Sequence, residues 1–340
     1  MTRLRSLLQI SCTALALCET VGAAAARDTG CPGKNLLETI KTADASAFAR
    51  LRAAADGAKN GRTLLWKIES EDAPDRPPSY LFATLHISDE RIKAFDANVE
   101  DALSHSRRIA TGVEDMSPGR VLEALGVMQE TLLPDKAPQL GTLLAKPEAE
   151  RAAVVLAHTE LPKDWQPRVK PWVVLALATQ SDCEQQRLKQ GKLTLDGELE
   201  RQAENRGVGT FGIETAEMEL GALAAMTDGD QLSLLKANLA SRARIDDQTE
   251  TQVQLYLAHD IGALWPLQRE LAKADGADDT ALEAYRQNVL EDRTSRMRDR
   301  ALMHLAEGGV FLAVGAMHLP GDKGLVELLR GQGYKLTAVQ

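Results

Sequence analysis

The sequence is poor in aromatic residues, which make up 4% of its 340 residues. A hydrophobic core must therefore be built chiefly from leucine, alanine and valine. The chain also lacks an excess of positive charge. It contains 40 lysines and arginines and 49 aspartates and glutamates, which gives a net charge of −9. A chain of this charge has no electrostatic reason to bind nucleic acid or an anionic membrane surface, and we expect neither as a partner.

Apolar runs long enough for several membrane spans are absent, as are solenoid repeats and low-complexity linkers. The balance of 44% hydrophobic and 26% charged residues is typical of a soluble globular protein and excludes global disorder. Length alone allows one large domain or two ordinary ones. We interpret residues 27–340 as a single domain that carries large helical insertions at about 116–200 and 218–306.

The amino terminus has the pattern of a secretory signal peptide, which we assign to residues 1–26. Arg3 and Arg5 form a basic start, the stretch 7–18 is mostly apolar but shorter than the ~20 residues of a membrane span, and four alanines at 23–26 suit a cleavage site. We expect a periplasmic or secreted protein without a transmembrane tether. An uncleaved anchor is the alternative, and a lipoprotein modified at Cys18 fits less well because Leu17 is large.

Cysteine is scarce and forms no CxxC pair or Cys/His cluster, which argues against a thiolate zinc site. Removal of residues 1–26 would leave Cys31 and Cys183. Two cysteines in an exported protein predict a disulfide between them, with two free thiols as the alternative.

Short apolar runs predict the strands of an α/β fold. They cover residues 63–69, 79–86, 108–114, 208–214, 309–315 and 335–339. Runs that are apolar throughout are typical of strands covered on both faces, so we expect a mostly parallel central sheet. The segments between them predict helices, including 92–106 after a cap at Asp89, short helices broken by prolines up to about Leu175, and a long helical stretch over 217–303.

Four of the predicted strands end in a histidine or a glutamate: His86, Glu114, Glu214 and His318. Ligands of open α/β sheets bind beyond the carboxyl ends of the strands, so these side chains are candidates for one site. Imidazole and carboxylate suit Zn²⁺, Mn²⁺ or Co²⁺, and they equally suit metal-free acid–base chemistry on water. Each also has a structural interpretation, as a hydrogen-bonded histidine or a helix cap. We interpret the other histidines, at positions 105, 158, 259 and 304, as surface or structural.

Three segments resemble the TraB/GumN family, which includes the pheromone-shutdown proteins and the Tiki metalloproteases and has a plan similar to the erythromycin esterases. They are 81–91 (LFATLHISDER), 212–217 (GIETAE) and 314–321 (VGAMHLPG). The family hallmark is two Gly-x-x-His motifs and a glutamate after the second core strand. Here 315–318 is an intact second motif, Glu114 matches the glutamate, and Arg293 with Met297 resembles the Arg-Asn-x-x-Met element.

Two positions depart from this pattern, since Ala83 replaces the glycine of the first motif and Thr294 replaces the asparagine. The methyl group of Ala83 adds bulk where the backbone could approach a ligand. The departures therefore predict altered metal geometry or reduced activity.

The resemblance implies a metal-dependent, peptidase-like hydrolase. His86, Glu114 and His318 would hold the metal, Glu214 or Glu217 would add a ligand or a base, and Arg293 would hold a carbonyl oxygen or a substrate carboxylate. A protein that sequesters a peptide or a small hydrophobic ligand is one alternative. A metal-independent esterase that uses His86 and Glu114 on water is another.

Overall fold

The computed structural model of the protein describes residues 30–114, 118–133 and 138–339. The predicted signal peptide at 1–26 lies outside these residues. Within them the strands are β1 Leu65–Ser70, β2 Ser79–Thr84, β3 Arg108–Val113, β4 Gly209–Glu214, β5 Val310–Gly315 and β6 Tyr334–Val339. Each coincides with a predicted apolar run to within two residues.

The six strands form one mixed sheet in the order β4-β3-β5-β2-β1-β6. Strands β4, β3, β5 and β2 are parallel neighbours, whereas β1 is antiparallel to both β2 and β6. The predicted α/β fold with a mostly parallel sheet is therefore confirmed. Every residue of β2 is buried, and in β5 all but the last are, as expected for strands covered on both faces.

Helices make up most of the remaining described chain. The first ten are α1 Leu37–Ala43, α2 Ala45–Gly57, α3 Ala97–Ser104, α4 Pro118–Val127, α5 Gln129–Leu132, α6 Leu140–Leu143, α7 Lys146–Ala157, α8 Pro171–Leu177, α9 Asp182–Lys189 and α10 Leu195–Arg206. They are followed by α11 Ala216–Ala224, α12 Asp228–Ser241, α13 Ile245–Leu257, α14 Leu264–Ala274, α15 Asp279–Tyr285, α16 Asp292–Leu305 and α17 Leu325–Arg330. Among the described residues, no helix combines the length and the apolar character that a membrane crossing needs.

The helix predicted over 92–106 is shorter than expected. Asp89 caps only a single 3₁₀ turn, Glu90–Ile92, and α3 starts after Asp96, whose carboxylate accepts a hydrogen bond from the Val99 N–H. Asp89 and Asp96 each accept a hydrogen bond from a backbone N–H that has no partner within its helix. The chain therefore starts a separate helix after Asp96 instead of continuing the one that starts after Asp89.

A π-helix, Arg286–Glu291, runs directly into α16 and was not predicted. The spacing of apolar residues does not distinguish a π-helical turn from an α-helical one. A π-helical turn contains about one residue more, and this changes the spacing of the buried positions only slightly.

Buried side chains form two groups. One surrounds the sheet and includes the central β5 residues Phe311 and Leu312. The other is built from helices of the two insertions, around the fully buried Trp172 and Leu235. Leucine, alanine and valine dominate both groups, in keeping with the low aromatic content. The helical insertions thus pack against one another beside the sheet.

The predicted disulfide between Cys31 and Cys183 is present. It links the segment before α1 to the first turn of α9, across 152 positions of sequence.

Candidate functional site

The four parallel strands all end at the same edge of the sheet. Thr84 at the end of β2 pairs with Gly315 at the end of β5, and Val113 at the end of β3 pairs with Glu214 at the end of β4. His86 and Glu114 follow their strands, and His318 lies in the 3₁₀ turn Ala316–His318 after β5. This topology brings the four predicted strand-end residues to one edge of the sheet. Their catalytic and metal-binding roles stay predictions.

His318 is buried and is held by a specific hydrogen bond. Its Nδ1 lies 2.8 Å from Oγ1 of Thr294, and that hydroxyl donates to the backbone carbonyl of Leu290 at 2.7 Å. Because the single hydroxyl proton points to Leu290, Oγ1 accepts from His318 and the ring proton sits on Nδ1. The lone pair is therefore on Nε2. Burial, with the nearby Arg293 charge, lowers the pKa of His318 to about 3, which keeps the ring neutral at physiological pH.

The two departures from the family pattern fit this structure without conflict. Thr294 stands where asparagine is usual and is itself the partner of His318. Ala83 is fully buried in the core around the sheet, and its carbonyl accepts a hydrogen bond from the Tyr256 hydroxyl at 2.7 Å. The methyl group of Ala83 thus lies in the core rather than at the exposed edge.

His86 is more exposed, with 53% of its side chain accessible, and it faces a carboxylate. Its Nδ1 lies 3.5 Å from Oδ2 of Asp196, while Oδ1 of Asp196 accepts a hydrogen bond from the Thr84 hydroxyl at 2.8 Å. Desolvation lowers the pKa of His86, but the Asp196 carboxylate outweighs it, so the pKa is raised. Asp196 was missed in the sequence because it opens helix α10 within an insertion that carries no motif.

The loop that carries His86 is held by hydrogen bonds to helix α9, which belongs to the same insertion as Asp196. The backbone N–H and the hydroxyl of Ser88 donate to the buried Glu184 carboxylate at 2.7 and 3.0 Å. The guanidinium of Arg187 donates to the hydroxyl and the carbonyl of Ser88, both at 2.9 Å. Since Glu184 follows Cys183 directly, the disulfide anchors the helix that holds this loop.

Glu214 and Arg293 form a buried ion pair at the end of β4. Both are almost inaccessible, and Oε2 of Glu214 accepts from Nε and Nη2 of Arg293 at 3.0 and 2.7 Å. Nη1 of Arg293 donates to Glu219 at 3.3 Å. Burial alone lowers the pKa of Arg293, but the charges of Glu219 and Glu214 more than offset this effect and the pKa is raised. The guanidinium proposed to hold substrate is thus already shared between two carboxylates.

One atom of this ion pair is left without a partner. The second carboxylate oxygen of Glu214, Oε1, is buried and has no hydrogen-bond partner among the described residues. A buried carboxylate oxygen left in this way costs free energy unless a ligand or an ion binds it.

Glu114 and Glu217 are placed differently. Glu114 is exposed, and its backbone N–H donates to the carbonyl of Glu214 at 3.0 Å. Glu217, in the first turn of α11, accepts a hydrogen bond from Arg120 of α4 at 2.6 Å. Glu217 is therefore engaged in tying α11 to α4.

The donor groups suit a divalent metal ion in part. His318 offers a fixed Nε2 lone pair and Glu214 an unpartnered oxygen, the ligand types that zinc, manganese and cobalt accept. Across residues 30–114, 118–133 and 138–339, however, the only group of three such ligand atoms within 4.8 Å of one another is Cys31, Cys183 and Asp246, of which the cysteines are disulfide-bonded. His86, Glu114 and His318 are thus not gathered at metal-binding distances, and binding would require the exposed side chains of His86 and Glu114 to turn.

Comparison with known proteins gives one match. The sequence profile described as the TraB/PrgY/gumN family matches residues 64–338. No curated protein matches the chain, and no solved structure does.

Proposed function

The chain belongs to the TraB/PrgY/gumN family, and we propose that it is an exported, metal-dependent hydrolase of the peptidase type. In this proposal the reaction takes place at the carboxyl edge of the sheet, where His86, Glu114, Glu214 and His318 lie at the ends of four parallel strands. The substrate is a peptide or a small molecule with a hydrolysable carbonyl bond.

The observation that carries the proposal is the hydrogen bond between His318 and Thr294. It keeps the proton on Nδ1, so Nε2 is free to act as a ligand. Histidines that bind metals commonly have their other nitrogen tied to a neighbouring acceptor in this way, which fixes the orientation of the ring. His318 also lies at the sheet edge where the strands that precede His86 and Glu114, and the strand that ends in Glu214, terminate.

His318, Glu114 and His86 would hold the ion, and the unpartnered oxygen of Glu214 would accept a proton or a further contact. A bound divalent metal supplies a water whose pKa is lowered towards ~7. Arg293 would hold the Glu214 carboxylate in place through its two hydrogen bonds to Oε2. Glu217, paired with Arg120, positions α11.

The pair of His86 and Asp196 favours a second candidate, a metal-independent esterase. A carboxylate beside Nδ1 orients an exposed imidazole so that Nε2 can take a proton from water. His318 is unsuited to this role, because burial beside Arg293 opposes its protonation.

Export is proposed on the sequence of residues 1–26. The disulfide supports it, since such bonds persist in oxidising compartments.

Activity with and without metal tests the proposal. Chelator-treated protein is offered peptide and ester libraries with Zn²⁺, Mn²⁺ or Co²⁺ restored in turn. We expect peptide hydrolysis to return with one of the metals and to be lost in His86→Ala and His318→Ala but retained in His158→Ala, which removes an exposed histidine elsewhere. Metal-independent ester hydrolysis would favour the second candidate, and binding without turnover would indicate a sequestering protein.

A further inference from the structure

A small cleft opens beside the strand-edge residues. It has a volume of about 220 Å³ and lies between α11, the π-helix and α16, where it is lined by Met218, Gly221, Ala222, Ala225, Asn288 and Arg296. The volume is below that of a typical site for a whole ligand of about 300 Å³ or more, so it suits the end of a chain rather than a complete molecule.

All three elements of the cleft also carry residues of the candidate site. Glu219, next to Met218 on α11, binds Arg293. Arg296 lies one helical turn after Arg293 on α16. The carbonyl that fixes Thr294 belongs to Leu290 in the π-helix, two positions after Asn288. A molecule seated in the cleft therefore lies next to the residues that hold His318 and Glu214.

Two polar side chains, those of Asn288 and Arg296, line the cleft. Within the part of the chain that the structure describes, no carboxylate pairs with the half-buried guanidinium of Arg296, in contrast to Arg293, which binds two. The amide nitrogen of Asn288 donates to the carbonyl of Ala284 at 2.8 Å, whereas its side-chain oxygen accepts no hydrogen bond among the described residues. The cleft thus offers one cation and one acceptor on a surface of small apolar side chains.

We propose that this cleft binds the carboxyl-terminal residue of a peptide. Arg296 pairs with the terminal carboxylate, the oxygen of Asn288 accepts the N–H of the last peptide bond, and the floor of Gly221, Ala222 and Ala225 admits a small apolar side chain. A fatty acid has the carboxylate but no N–H for Asn288. The proposal rests on the proposed function and narrows its substrate class to peptides with a free carboxyl terminus.

A larger groove of about 440 Å³, near Trp265 and Arg286, does not have this character. Its charged side chains are paired with each other, as in the ion pairs of Arg269 with Asp279 and of Arg286 with Glu283. Each charged side chain that lines this groove thus has an oppositely charged partner among the described residues.

Binding of matched peptides to the full-length protein tests the proposal. The probes are acetyl-tetra-alanine as the free acid, the same peptide as the carboxyl-terminal amide, and octanoate, each measured by calorimetry. We expect the free acid to bind at least about tenfold more tightly than the amide, because a charge-assisted pair is lost in the amide. Equal binding of acid and amide, or no measurable binding of the acid, would overturn the proposal, and octanoate binding as tightly as the peptide would overturn its peptide class.

Two variants with matched controls locate the site. Arg296→Gln should remove the preference for the acid, whereas Arg298→Gln, which alters an arginine of the same helix paired with Asp299, should retain it. Gly221→Leu places a side chain where no atom lies within 4 Å of the added Cβ, so it should fill the cleft without disturbing the helix. The control is Gly126→Leu, an equally open helical glycine of α4. Retained preference in Arg296→Gln, or unchanged binding in Gly221→Leu, would refute the site.

The outcome is separable from that of the proposed function. Peptide binding that depends on Arg296 without any turnover would sustain the cleft and refute the hydrolase. The reverse outcome is metal-dependent hydrolysis that is equally fast for acid and amide peptides and is unaffected in Arg296→Gln. It would support the hydrolase and refute the proposed peptide site in the cleft.

Discussion

At the scale of single residues, one hydroxyl decides which nitrogen of His318 is available. Thr294→Val preserves the shape of the side chain but removes the acceptor of the Nδ1 proton. We expect hydrolysis to fall about 10- to 100-fold, as is usual when the outer partner of a ligating histidine is lost. The nitrogen NMR signals of the His318 ring should change from one tautomer to a mixture.

Thr294→Ser is the control for this change, because it keeps the hydroxyl and should keep both the tautomer and most of the activity. A Thr294→Val protein with wild-type ring signals and wild-type turnover would contradict the role of Thr294.

The buried imidazole of His318 also makes stability depend on pH. Its pKa is about 3 in the folded chain, against an ordinary value near 6.5 in the unfolded chain. Between these values the unfolded state binds the extra proton, so the free energy of unfolding should fall as pH decreases below 6.5, by at most about 1.4 kcal/mol per pH unit. Urea unfolding between about pH 7.5 and about pH 5 measures this slope.

His318→Asn should flatten the slope, because the variant has no imidazole to protonate at this position. His86 has the opposite sign, since a raised pKa contributes stability at low pH that is lost as pH rises through the folded value. An identical slope in wild type and His318→Asn would show that His318 titrates normally.

At the scale of elements, the ends of β3 and β4 touch through a glycine. A Cβ at Gly212 would overlap the backbone of Glu114, whereas a Cβ at Gly209, on the same strand, would meet no atom within 4 Å. We expect Gly212→Ala to lower the free energy of unfolding by about 1–3 kcal/mol, because β3 and β4 must separate to admit the methyl group. Gly209→Ala should leave stability nearly unchanged.

Urea unfolding of the two variants measures the difference, and turnover reports on Glu114. If both substitutions have the same small effect, the close approach of the two strand ends does not constrain the site.

At the scale of the whole molecule, the disulfide joins the first described segment to the insertion that holds the His86 loop. Replacing Cys31 and Cys183 by serine should cost about 2–5 kcal/mol of stability, because the unfolded chain is no longer constrained. Amide hydrogen exchange of residues 87–89 should also become faster, since α9 then holds Ser88 less firmly.

Glu184→Gln separates the two effects. This variant keeps the disulfide and the global stability that the disulfide supplies. It weakens the hydrogen bonds to Ser88, so amide exchange should become faster only in the loop at 87–89. Unaltered exchange at 87–89 in the cysteine double variant would show that the loop is independent of the cross-link.

The sequence by itself determined the strands, their order along the chain, the cysteine pair and the family. A strand such as β5 is visible because its six residues are nearly all apolar, and this signal is local. The positions of His86, Glu114, Glu214 and His318 at strand ends were visible for the same reason.

The tertiary structure alone decided the partners of these residues. Asp196 reaches Thr84 across 112 positions, and Arg293 reaches Glu214 across 79. Such pairs depend on how helices of the insertions pack beside the sheet, and nothing in the local pattern of hydrophobic and polar residues encodes that packing. Only the folded arrangement therefore shows that Arg293 binds two carboxylates and that Thr294 is hydrogen-bonded to His318. It also shows that Arg296 has no carboxylate partner among the described residues.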